Sequence, residues 1–320
     1  MFYHCSAADL YITKYFHSHN EKNTEKDAKL SVLRIYYEER ATNTVSTEVK
    51  LYCKMSGDKS RFVLPSSAEV LSFQIVITTL AMSAHLVQLG LQGKFSHVFV
   101  DEAGQALECE AVTPLALAAS STCVVLSGDH RQISPAVYCR KARRKKFHVS
   151  LLERLFLRYK KLDLLGYNTV LLNHNYRSCE AIVDFLSSAF YHRKQCLIAA
   201  RGRYPVGSGS HAALSFYCTE GAEEEEEVDG CSYFNAAEVE EVVQVVAKFV
   251  ADGIQQENVC VVSYYVSQVC FMTMAYNRTS TSGLQRSPYS YIGFKGAASR
   301  KGGEREGMGS LFCKTVPQPS

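Results

Sequence analysis

No C-x-x-C pair occurs in this chain of 320 residues, and none of its 12 cysteines stands with a histidine at zinc-ligand spacing. The cysteines are scattered from Cys5 to Cys313. That excludes a compact disulfide framework as the organising feature, implies no zinc, and leaves reduced thiols in an intracellular protein, cytoplasmic or nuclear, as the simplest reading. No stretch of about 18 to 20 apolar residues runs unbroken, so no membrane span is expected. The opening Met-Phe-Tyr-His-Cys has no basic n-region followed by an apolar segment, and no signal peptide is read there. No internal repeat is visible. The net charge is only +3. A nucleic-acid partner therefore has to be argued from where the cations sit.

What is present is the composition of a soluble globular protein, 47 % hydrophobic and 21 % charged, which argues against wholesale disorder. The length suits two domains of about 150 residues each. Short apolar runs alternate with helical patterns, the signature of an α/β fold with a largely parallel sheet. Strands are expected at 71–79, 97–101, 123–128, 169–172, 213–218 and 259–264, several without strict alternation, as in strands buried on both faces.

Between them Asn235 is placed to cap a helix, with Glu238 at its third position and Val239, Val242, Val243, Val246, Phe249 and Val250 on one apolar face. Another helix is expected from Ser178, with Ile182, Phe185, Leu186 and Phe190 turned inward. Three stretches differ. Residues 20–69 are polar and read as an inserted lobe or long loops. The acidic run 223–227 reads as a solvated loop. From about 279 the chain becomes rich in Gly, Ser, Lys and Arg, loses periodicity and is expected to be disordered.

Three motifs carry chemistry. The apolar run His97-Val98-Phe99-Val100 ends in Asp101-Glu102-Ala103-Gly104-Gln105. Ligands of open α/β sheets bind beyond the carboxyl ends of strands. Asp101 there suits Mg²⁺ held through its water shell, and Glu102 suits orienting and deprotonating a water. The same residues are also compatible with an ordinary strand terminus. The next strand leads into Gly128-Asp129-His130-Arg131-Gln132-Ile133-Ser134-Pro135, in which Gln132 can hydrogen-bond a γ-phosphate or the whole can be a surface turn. Two neighbouring strands that both end in polar, glycine-bearing loops point to one shared nucleotide cleft. Asn175-Tyr176-Arg177-Ser178 offers a bidentate cation at a helix start and an aromatic ring able to stack on a base.

In this order the three motifs resemble motifs II and III and the following Tyr-Arg motif of superfamily 1 helicases, within them the up-frameshift-like group and most of all the helicase-with-zinc-finger proteins. Cys5-Ser6-Ala7-Ala8-Asp9-Leu10 looks like motif Ia, Ile77-Thr78-Thr79 like motif Ic, and residues 259–269 like motif IV. The resemblance spans roughly residues 4 to 275. It implies two RecA-like P-loop NTPase domains with ATP between them and single-stranded RNA, or DNA, across the top. By position, Asp101 and Glu102 would serve Mg²⁺ and water, and Gln132 would sense the γ-phosphate. Arg177 would contact that phosphate from the second domain, and Tyr176 would lie near the base. Ser6, Thr78 and Thr79 would face the nucleic-acid backbone, although their hydroxyls also suit helix caps.

Departures from the pattern matter as much. A G-x-x-x-x-G-K-[ST] loop is found nowhere in the 320 residues, and Gly93-Lys94-Phe95 lacks both the upstream glycine and the hydroxyl. Motif Ia falls within the first ten residues, so the loop is expected upstream of Met1. After residue 276 neither the family's Gln-Gly motif nor its final arginine motif is found. The expected organisation is thus a first domain over 1–147 without its phosphate loop, a partial second domain over 148–276, and a tail over 277–320 outside the family. The basic run Arg140-Lys141-Ala142-Arg143-Arg144-Lys145-Lys146 suits phosphate backbone or an import receptor, and equally a solvated interdomain loop. The expected function is a fragment of an ATP-dependent helicase or translocase, a poor hydrolase by itself. The competing class is a non-catalytic module that holds nucleic acid or a protein, a transcriptional coregulator among its forms.

Overall fold

Residues 5–23, 29–191, 196–200, 215–226, 232–255, 259–280 and 311–312 are described by the computed structural model of the chain, and every structural statement below concerns them. They fall into two compact units, Met1–Leu171 and Leu172–Ser320.

In the first unit the apolar run His97–Val100 (β3) lies parallel beside Cys123–Leu126 (β4), with Val98 opposite Val124 and Val100 opposite Leu126. Alternation buries Val98 and Val100 and leaves His97 and Phe99 outside, so β3 is covered on one face rather than on the two expected. The inner face meets Ala103, Ala106, Ala111 and Leu151 in one apolar cluster. Ala111 belongs to helix Glu108–Leu115, and Leu151 opens helix Leu151–Lys161, whose cap Ser150 accepts the N–H of Glu153.

Residues 20–69 differ from the expectation. Val32–Arg34 (β1) pairs parallel with Ile75–Ile77 (β2), and Val32, Tyr36, Val45, Val49 and Phe62 form a buried cluster with Ile77. The strand was disguised by the cation at its end. Arg34 is 1 % exposed. Its Nε donates to Asp9 at 3.0 Å, its Nη1 donates to the Ile35 carbonyl, and its guanidinium lies 4.1 Å from the Tyr36 ring centroid. A buried charge is tolerable only when paired and hydrogen-bonded in this way. The expected strand at 71–79 is shortened, because Leu71 ends helix Ser67–Leu71, which starts in a capping box between Ser66 and Glu69.

The second unit holds the short parallel pair His174–Asn175 (β5) and Ile198–Ala199 (β6) and the antiparallel pair Glu224–Glu226 and Ser232–Phe234. Part of the acidic run is therefore strand and not loop. Residues 169–172 and 259–264 form no strand, and Val170, Leu172, Val262 and Tyr264 are exposed. Helix Glu180–Phe190 begins two residues later than expected and buries Val183 and Ser187, while Phe185 and Phe190 face out. Helix Ala236–Ala251 is capped as expected, with Asn235 accepting the Glu238 N–H at 3.2 Å; Val239 and Val242 pack with Met272 of helix Val266–Ser280, and Val245, outside the expected face, is buried as well.

Helices and parallel pairs together make an α/β protein. By packing, residues 148–171 group with the first unit. Most of the tail expected to be disordered lies outside the described residues. Among those described, no helix is long and apolar enough to cross a membrane.

Candidate functional site

The turns that follow β3 and β4 are locked together by backbone. Ser127 N donates to the Val100 carbonyl and Ala103 N to the Ser127 carbonyl, each at 2.8 Å. Such closeness needs glycine on both sides. A Cβ on Gly104 would stand 2.7 Å from the Asp129 carbonyl oxygen, and one on Gly128 2.9 Å from Gly104 N. Gly128 also has φ +150°. The structure thus brings Asp101-Glu102 and the Asp129–Gln132 turn into one place, as the shared-cleft reading requires.

Within that place each side chain is fixed locally. Glu102 is half-buried and sits at φ 53°, a left-handed conformation costly for a glutamate and found at sites where surroundings over-determine the backbone. Its carboxylate accepts the Gln105 amide at 2.9 Å, and its carbonyl accepts the Gln105 N–H at 3.0 Å. Asp129 closes an Asx-type turn: Oδ1 accepts Arg131 N at 2.8 Å, and Oδ2 accepts the Gln132 side-chain amide at 3.1 Å. The Gln132 side chain is therefore oriented while remaining exposed. Asp101, half-buried at a strand end, offers the oxygen chemistry that Mg²⁺ prefers. No cluster of three or more His, Cys, Asp or Glu side chains suited to a metal ion occurs among the described residues, so a cation there would keep most of its waters.

Two neighbours of this site were not foreseen. Burial holds the Tyr11 phenol above its usual value, and the charges of Asp101, Tyr15 and Glu102 push the same way, so Tyr11 is within electrostatic reach of both carboxylates. The His130 ring lies 4.5 Å, centroid to centroid, from Phe156. Burial lowers the imidazole pKa, with Arg131 adding to the effect and Asp129 opposing it. Neither contact has a local sequence signal. The two glycines were visible within their motifs, but their interlock was not.

The expected nucleic-acid residues scatter. Ser6 lies in helix Cys5–Tyr11, and its side chain is outside the described residues. Thr78 is fully buried and its hydroxyl has no hydrogen-bond partner, so it faces the interior rather than a ligand at the surface. Thr79 Oγ1 accepts the Met82 N–H at 3.4 Å in the turn before helix Ser83–Gln88, whose N-cap, Met82, makes no side-chain cap bond. Arg143, Arg144, Lys145 and Lys146 are exposed. The run that carries them is helix Arg140–Arg144 rather than a loop, and Lys146 follows at φ 63°.

In the second unit Asn175 Oδ1 accepts Arg177 N at 2.9 Å and Ser178 N at 2.7 Å, an Asx turn that presents Tyr176 and Arg177 to solvent.

Comparison with known proteins gives the family. Residues 12–140 and 147–306 each match an AAA domain family, the second match running past residue 276 into the segment expected to lie outside the family. The probable helicase with zinc finger domain of Mus musculus is 40 % identical over 271 residues, covering 82 % of this chain and 13 % of that protein. The 3'-5' exoribonuclease HELZ2 of Homo sapiens is 35 % identical over 268 residues, 81 % of this chain and 9 % of that protein. RNA helicase Mov10l1 of Mus musculus is 35 % identical over 201 residues, 59 % of this chain and 16 % of that protein. The chain thus spans well under a fifth of each of these three relatives. On these matches, and on motifs that stand in the same order, the chain belongs to the AAA-domain helicases of superfamily 1, in the up-frameshift-like group.

Proposed function

We propose that these residues form the water-activating and phosphate-sensing part of an ATP-driven motor that moves along single-stranded RNA, with DNA a weaker candidate. The observation that carries this reading is the interlock of the two turns, which sets Asp101-Glu102 beside the Asp129–Gln132 turn through Gly104 and Gly128. Two RecA-like domains would supply the setting, one from each half of the chain. Asp101 would hold Mg²⁺ through water, and the bound ion would neutralise charge on the phosphates. Glu102 would orient the attacking water and take its proton. Gln132, held by Asp129, would report the γ-phosphate, and Arg177 would contact the same phosphate with Tyr176 near the base.

The 320 residues contain no G-x-x-x-x-G-K-[ST] loop. Phosphoryl transfer depends on positioning and charge stabilisation more than on the base. As given, the chain is therefore a poor hydrolase. That same feature favours the second reading, a non-catalytic RNA-binding module that uses the exposed cations of 140–146.

Both readings require binding to single-stranded RNA, measurable by fluorescence anisotropy at two salt concentrations. Replacing Arg143, Arg144, Lys145 and Lys146 by alanine should weaken binding and flatten the slope of log K against log salt by roughly 0.7 for each phosphate no longer neutralised. No binding at low salt, or an unchanged slope, would count against them.

A further inference from the structure

The helix Leu151–Lys161 touches both turns of the site. Arg154 closes a fork on Glu108 across 46 residues of sequence, its Nε donating to the two carboxylate oxygens at 2.9 and 3.1 Å. Glu108 opens the helix that follows the Asp101-Glu102 turn. The Leu152 side chain stands 3.3 Å from where a Cβ on Gly128 would be. Leu151, Leu152 and Leu155 pack into the cluster that holds Val100 and Ala103. One turn further along the helix, Phe156 meets His130, which lies between Asp129 and Gln132 on the sensor turn.

We propose that Phe156 is a positioning residue for the sensor turn: its ring holds His130, and His130 keeps the Asp129 carboxylate bonded to the Gln132 amide. The physical reason is geometric. Asp129 grips Gln132 with one carboxylate oxygen and the Arg131 N–H with the other, so a shift of the intervening His130 backbone must change both bonds. The neutral imidazole packs on an apolar ring, and four charged groups surround it: Asp129 and Arg131 on its own turn, Glu153 and Lys160 on the helix. Protonation would draw the ring toward Asp129 and Glu153 and compete with Gln132 for Asp129. The orientation of Gln132 is thereby tied to helix Leu151–Lys161. This rests on the reading of Gln132 as the phosphate sensor.

The test is NMR titration of the whole chain, following the His130 ring carbons and the Gln132 side-chain amide. In the unmodified chain His130 should titrate below the usual 6.5. Phe156→Leu keeps an apolar contact but removes the flat ring. It should move the His130 pKa up through easier hydration and shift the Gln132 amide signal. Phe156→Tyr should restore both, and Leu157→Ala, at a half-exposed position next to it, should move neither. A folded Phe156→Leu chain with His130 and Gln132 signals unchanged would overturn the proposal. Should that variant lose its fold, His130→Gln reads the contact from the other side. A shifted Gln132 amide there supports the proposal, and an unshifted one overturns it. None of these signals needs nucleotide or RNA, so a chain that fails to bind RNA would refute the functional assignment without touching this contact.

Discussion

The turn that presents Glu102 and the turn that presents Arg177 carry the two halves of the proposed chemistry, and they are held in different ways. Around Glu102 the backbone is tied to the turn after a second strand, across 24 residues of sequence between Ala103 and Ser127, and two glycines make the approach possible. Around Arg177 the hold is local. One Asn175 side chain accepts two N–H groups, the flanking parallel pair has two residue pairs where β3 and β4 have four, and Tyr176 is 62 % exposed. The group proposed to act on water is placed by tertiary structure. The group proposed to reach a phosphate is placed by a turn of four residues.

Core packing should sharpen the contrast most. Phe62 is 1 % exposed and packs 4.7 Å from the Tyr36 ring centroid. Phe62→Ala should cost the first unit about 3–5 kcal/mol. Amide exchange should then accelerate along β1 and β2 while helix Ala236–Ala251 keeps its protection; acceleration in both would show that the units do not open independently. Next, Gly104→Ala should cost about 1–3 kcal/mol as its methyl is driven onto the Asp129 carbonyl. Gly166→Ala, where nothing lies within 4 Å, should instead gain about 0.5–1 kcal/mol within its short helix. Equal effects in denaturant melts would remove the interlock from the account.

The local turn should be cheaper to break. Asn175→Ala removes the acceptor of two N–H groups and should cost about 1 kcal/mol, with chemical-shift changes confined to 174–180. Smallest is the exposed fork between Arg154 and Glu108, about 1 kcal/mol at most. The Arg154 guanidinium holds the Glu108 carboxyl below its usual 4.5. A depressed carboxylate contributes stability above its unfolded value and loses it as the pH falls through the folded one. An acid melt of Arg154→Met should therefore differ from the unmodified chain at neutral pH, and the two should converge as the pH falls through the lowered Glu108 value.

Legibility in the sequence followed how local each signal is. The Asn235 cap and its valine stripe and the β3 and β4 strands each depend on a few neighbouring residues. The β1 strand was missed because Arg34 interrupts its apolar run, and its charge is absorbed by Asp9 and Tyr36, a pair that no window on 20–69 contains. The strands expected at 169–172 and 259–264 have the right composition but no partner strand among the described residues. Composition offers a strand and pairing makes one. At the site, the carboxylates and Gln132 were legible as motifs, whereas the inward turn of Thr78 and the contact between Phe156 and His130 arise from packing alone.

The claim that Glu102 activates water while these 320 residues lack the means to hold the phosphates is open to one direct measurement. Phosphate release from Mg²⁺-ATP would be followed with and without single-stranded RNA, for this chain and for a longer one that also carries a G-x-x-x-x-G-K-[ST] loop, each with and without Glu102→Gln. The account predicts background release from the 320 residues, RNA-stimulated release from the longer chain, and loss of that release with ATP binding retained in its Glu102→Gln form. RNA-stimulated turnover by the 320 residues alone, or turnover in the longer chain indifferent to Glu102→Gln, would contradict it.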